Sequence, residues 1–146
     1  RAAALASVLL ALAILSGLPT AGPAAPQPAT EAGVEPFSAA RLAALRQDGR
    51  AVFVNMTAAW CVSCLVNERV ALASQAVRHD FVAHDVTYLK GDWTRQDPAI
   101  TAFLRAQGRD GVPLYMLYPP GHGAPVVLPQ ILTEGGMLAT LDKLGS

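Results

Sequence analysis

Cysteine is scarce in this chain: its 146 residues hold two, Cys61 and Cys64, in a single Cys-X-X-Cys unit. A disulfide framework for a small secreted fold needs more cysteines spread along the sequence. A structural zinc site needs four ligands, and His79, His84 and His122 stand apart without paired spacing. No metal and no bound cofactor are therefore expected, and the pair itself is left as the redox group. An excess of charge is lacking too. With 11 basic and 11 acidic residues the net charge is zero, which argues against nucleic acid or an anionic surface as partner.

What the chain does have is apolar sequence, 52% of its residues, much of it in the first eighteen. Ala2 to Leu18 is interrupted only by Ser7, Ser16 and Gly17. A spanning helix needs roughly 20 apolar residues, with about 17 as the lower limit, so residues 1–18 read as a transmembrane helix or a signal anchor. Arg1 in place of Met favours the last helix of a longer membrane domain over a signal sequence. Arg1 lies on its amino side and no basic residue follows until Arg41, which puts the remainder outside the cytoplasm. Residues 19–36, with Pro19, Pro23, Pro26, Pro28 and Pro36, lack hydrophobic periodicity and read as a semi-stiff linker. Residues 37–146 then form one domain of common size.

Within that domain helical and strand patterns alternate. Ser38 caps a predicted helix through about Gln47, which Gly49 ends. Ala51 to Thr57 reads as a buried strand, and a helix opens at Cys61. Further helical turns run from Ser74 to Ala83, followed by a strand from Val86 to Leu89 and a helix from Asp97 to Gln107. Strands are expected at Pro113 to Tyr118 and Val126 to Leu128, then a last helix from Thr133 to Leu144. This order predicts an α/β fold, a central mixed sheet flanked by helices.

Trp60-Cys61-Val62-Ser63-Cys64 follows the buried strand and opens a helix. At a helix amino end Cys61 faces unpaired N–H groups and the positive end of the helix dipole, which stabilise a thiolate. Cys64 lies on the same face within bridging reach. Cys61 is thus the expected nucleophile and Cys64 the resolving thiol. Gly111-Val112-Pro113 opens a later strand, where a proline often marks a cis bond.

Together these residues resemble the thioredoxin fold. Val52 to Cys64 is similar to its active-site strand and helix, and Val112-Pro113 to the cis-proline pair that faces the cysteines. More narrowly, Cys64-Leu-Val-Asn-Glu-Arg-Val70, Tyr88-Leu-Lys-Gly-Asp-Trp-Thr94 and Gly111-Val-Pro-Leu-Tyr115 resemble the carboxy-terminal periplasmic domain of DsbD-type thiol:disulfide interchange proteins, ScsB-like relatives included. That resemblance implies a protein-disulfide reductase at the inner membrane, with its globular domain in the periplasm. It would take electrons from a membrane-embedded donor domain and pass them to a periplasmic thiol–disulfide partner. Val62 and Ser63 lack the histidine found between the cysteines of strongly oxidising relatives. Asn55 stands where the family carries a buried Asp, and an amide cannot shuttle a proton. Glu68 matches a family acidic position and is left as the candidate for proton handling. Trp60 reads as a lid beside the cysteines. The competing expectations are a tethered reductase for cytochrome c maturation and a non-catalytic binding module.

Overall fold

A computed structural model describes residues 33–145; the expected membrane segment, residues 1–18, and most of the expected linker lie outside them. Among the described residues no helix is long and apolar enough to cross a membrane.

Five strands form the sheet: β1 (Val34–Pro36), β2 (Val52–Thr57), β3 (Thr87–Asp92), β4 (Leu114–Tyr118) and β5 (Val126–Val127). Their spatial order is β1-β3-β2-β4-β5. The first three run parallel, whereas β4 is antiparallel to β2 and β5 to β4. The mixed α/β fold expected from the sequence is therefore the one observed.

Helices α1 (Ala39–Gln47), α2 (Val62–Asn67), α3 (Gln75–Ala83), α4 (Pro98–Ala106) and α5 (Glu134–Leu141) cover both faces. Local chemistry sets their starts. Ser38 Oγ accepts from the Arg41 N–H at 3.0 Å. Asp97 accepts from the N–H groups of Ala99 and Ile100, with Pro98 in the first turn, and Thr133 accepts from Gly136. Each cap satisfies donors that a helix amino end leaves without partners.

β2 is buried along its whole length, and its side chains divide between two cores. Val52, Val54 and Met56 pack with Leu42 and Leu45 of α1 and Ile100 and Leu104 of α4. Phe53 packs on the opposite face with Val77 and Phe81 of α3, Tyr88, Tyr115, and Met137 and Leu141 of α5. The alternation follows from the two-residue period of a strand, and it places Asn55 on the same face as Phe53. There the aromatic rings of Phe53 and Tyr88 meet edge to face at 5.1 Å.

Three elements differ from the sequence expectation. Val34–Pro36, at the end of the stretch read as linker, forms the edge strand β1, and the Phe37 N–H extends its ladder to the Lys90 carbonyl at 2.8 Å. The folded unit thus begins before residue 37, because three residues beside β3 gain ladder bonds that no local hydrophobic pattern announces. β3 continues beyond Leu89 to Asp92. The helix opened by α2 passes into a π-helical turn, Glu68–Leu72, in which the Ala73 N–H reaches the Glu68 carbonyl at 2.7 Å.

Candidate active site

The end of β2 delivers Ala58 and Ala59 to the sheet's carboxyl edge, and Trp60 leads into α2. Cys61 occupies the amino cap of α2, its Sγ accepting from the Cys64 N–H at 3.3 Å. The Ser63 hydroxyl lies 3.5 Å from the same sulfur. The two cysteines are bridged, with Cα atoms 5.2 Å apart, inside the range a disulfide tolerates. Their access to solvent differs. Cys61 is 6% exposed and Cys64 is fully buried, so an incoming group can meet only the first sulfur.

Ala58, Cys61 and Cys64 form a small apolar cluster against which Val112 packs. The Val112–Pro113 bond is cis, and Pro113 is buried. Trp60 is more than half exposed, with its ring 6.0 Å from that of Trp93 and its indole N–H donating to the Thr94 carbonyl at 3.1 Å. Thr94 also accepts the Ala59 N–H at 2.8 Å, while its own N–H bonds Asp92. This loop braces the approach to Cys61; the sequence marked it only as part of the Tyr88–Thr94 resemblance, without this role. Trp60 beside Cys61, and Val62, Leu65, Val66 and Val70 along the helix that Cys61 caps and the turn after it, leave apolar side chains in solvent.

Glu68 and Asn55 meet beneath α2. Asn55 is fully buried; its Nδ2 donates to the Tyr88 hydroxyl at 2.8 Å and to Glu68 Oε1 at 3.3 Å. Its Oδ1 is buried without a hydrogen-bond donor among the described residues, a cost of about 1–3 kcal/mol. Glu68 is no freely solvated surface carboxylate. Its side chain is 24% exposed and its Oε2 lies 3.1 Å from Lys90 Nζ. The sequence reading left Lys90 and Tyr88 without a role. Their signal was the two-residue period, which puts both on one face once β3 extends past Leu89.

Asn67 was also missed. Fully buried at the end of α2, its Nδ2 donates to the Tyr115 hydroxyl at 3.0 Å and the Gln130 carbonyl at 2.7 Å. Its Oδ1 accepts the Leu132 N–H at 3.0 Å. It ties the cysteine helix to β4 and to the loop before α5.

Comparisons with known proteins agree with this geometry. A thioredoxin-like family model matches residues 34–120. Over 82 residues, 56% of its length, the chain is 34% identical to the thiol:disulfide interchange protein DsbD 1 of Pseudomonas aeruginosa. It spans only 14% of that relative. Among solved structures, the reduced carboxy-terminal domain of Neisseria meningitidis DsbD superposes with a TM-score of 0.59 at 19% identity. The match covers 73% of this chain and 96% of that one. A thioredoxin from Thermus thermophilus also gives 0.59 at 19% identity, over 77% of this chain and 85% of its own. At such identities the two structures speak for the fold alone.

Proposed function

Because the chain belongs to the thioredoxin-like family, we propose that Cys61 and Cys64 make it a thiol–disulfide oxidoreductase domain that reduces protein partners. The observation that carries this reading is the unequal pair: Cys61 reachable at a helix amino end, Cys64 sealed behind it. In the reduced state the Cys61 thiolate attacks a partner disulfide, and one partner sulfur leaves as a thiol. Cys64 then attacks Cys61 Sγ, which closes the intramolecular bridge and releases the second partner thiol. The partner gains two electrons and two protons, and the domain loses them. Val112 and the exposed apolar residues beside Cys61 and along the helix it caps supply the surface on which such a partner rests.

The likeness to DsbD 1 supports a finer assignment. In it, the domain takes electrons from a membrane-embedded donor and delivers them to a periplasmic thiol–disulfide partner, with residues 1–18 holding it at the inner membrane. The lack of a histidine between the cysteines supports a reducing direction. In the detergent-solubilised full chain, Cys64→Ser accumulates mixed disulfides through Cys61, visible on non-reducing gels and lost in Cys61→Ser. Equilibration with thiol buffers places the pair at roughly −200 to −270 mV. A potential near about −120 mV, or no trapped species with Cys64→Ser, rejects the reductase assignment.

A further inference from the structure

Beyond the turn that carries the resolving cysteine, an ion pair joins Glu68 to Lys90 of β3. The Glu68 N–H donates to the Cys64 carbonyl, one helical turn back, so both side chains leave the helix on one face. Below them, Asn55 and Lys90 are neighbours in the register of β2 and β3. Glu68 reaches both: Lys90 Nζ at 3.1 Å and Asn55 Nδ2 at 3.3 Å. The Glu68 and Lys90 side chains are 24% and 27% exposed, so solvent screens their charges less than those of a surface pair.

The groups around Glu68 make Lys90 its cation. Glu35 of β1 is bound to Arg41 at 2.7 Å. Asp92 of β3 accepts from Thr94, and Asp97 caps α4. Tyr88 from β3 shares Asn55, and Arg95, just after β3, lines one groove with Glu68 and Lys90. On β4 the buried Tyr115 hydroxyl is raised above its ordinary value chiefly by burial, with the Glu68 charge adding to the rise.

We propose that Lys90 is a positioning residue for thiol exchange: its ammonium seats Glu68 on the sheet and cancels the carboxylate charge one turn from Cys64. The inference rests on the reading of Cys64 as the resolving thiol. In that step Cys64 gives up its S–H proton, its sulfur bonds Cys61 Sγ, and the bond from Cys61 to the partner breaks. The partner sulfur departs as a thiolate and takes up a proton. An uncancelled carboxylate one turn away disfavours the Cys64 thiolate and pushes the step to higher pH, whereas Lys90 left alone favours it.

The test is the titration of Cys64 in the full chain carrying Cys61→Ser, followed through the ¹³Cβ shift of labelled cysteine. Lys90→Gln moves the midpoint up by about one pH unit, and Glu68→Gln moves it down by a similar amount. Lys90→Arg keeps the charge and stays near the parent, and the Lys90→Gln/Glu68→Gln pair returns towards it. An unmoved midpoint in Lys90→Gln, or an equal shift in Lys90→Arg, overturns the proposal. Should Lys90→Gln fail to fold, the downward shift in Glu68→Gln decides the matter, and its absence is equally fatal. No partner enters this titration, so its failure is distinct from a failure to trap mixed disulfides.

Discussion

Asn67 shows how much one polar side chain can carry. Its amide joins three separate elements through three hydrogen bonds and has no exposure to water. Truncation leaves the Leu132 N–H without its partner and opens a void beneath the cysteine helix. Asn67→Ala is expected to lower the unfolding free energy by about 2–4 kcal/mol, measured by urea denaturation. The oxidised chain keeps its Cys61–Cys64 bridge in that variant, because the Asn67 side chain bonds Tyr115, Gln130 and Leu132 and neither cysteine. Cys61 and Cys64 stood out in the sequence because their chemistry is rare and their spacing local, whereas Pro113, one of eleven prolines, was marked by the resemblance. Asn67 did not stand out, since an asparagine within a helix reads as a surface residue until tertiary contacts enclose it.

At the scale of elements, β3 repays attention through Gly91. A Cβ built there would sit 2.3 Å from Met56 Sδ and 3.5 Å from Ile100 Cδ1, so the glycine admits the Met56 side chain between β2 and α4. Gly91→Ala is expected to cost about 1–3 kcal/mol through overpacking. In a double-mutant cycle Met56→Val recovers part of that cost, because the two substitutions share one space. Thermal unfolding of the four proteins checks the coupling. The strand was legible as far as Leu89 and no further: Lys90, Gly91 and Asp92 are poor strand formers, held in place by β2 and β1. β1 was hidden for a related reason. Three residues ending in proline carry no alternation, and Pro36 is tolerated because its strand lies at the sheet edge. The helices from Ser38, Asp97 and Thr133 were legible because their caps are encoded within three residues. The π-helical turn was not, since nothing in the local sequence of Glu68–Leu72 announces its wider hydrogen-bond register.

For the molecule as a whole, high pH acts on two buried phenols among the described residues. Burial pushes the Tyr115 hydroxyl above its ordinary 10.0, with the Asn67 hydrogen bond opposing and the Glu68 charge adding to the rise. Burial likewise raises Tyr118, against the Arg46 guanidinium stacked 4.9 Å from its ring centre. Both therefore hold their protons more tightly folded than unfolded. Their contribution to stability is intact below about pH 10, the unfolded value, and is lost as pH climbs through the raised folded values. Urea midpoints measured between about pH 8 and 11 fall at the upper end, and Tyr118→Phe makes the decline shallower.

The sheet order has a mechanical consequence as well. β1 lies at the edge, parallel to β3, and is the first element after Gly33. Tension transmitted from the preceding residues along the strand axis loads the bonds from Val34–Pro36 to the Tyr88–Lys90 stretch together, in shear, rather than opening them one by one. The strand that receives this load carries Lys90, the ammonium that seats Glu68. Whatever pulls on the amino end is thus coupled through a single strand to the carboxylate one turn from the resolving cysteine.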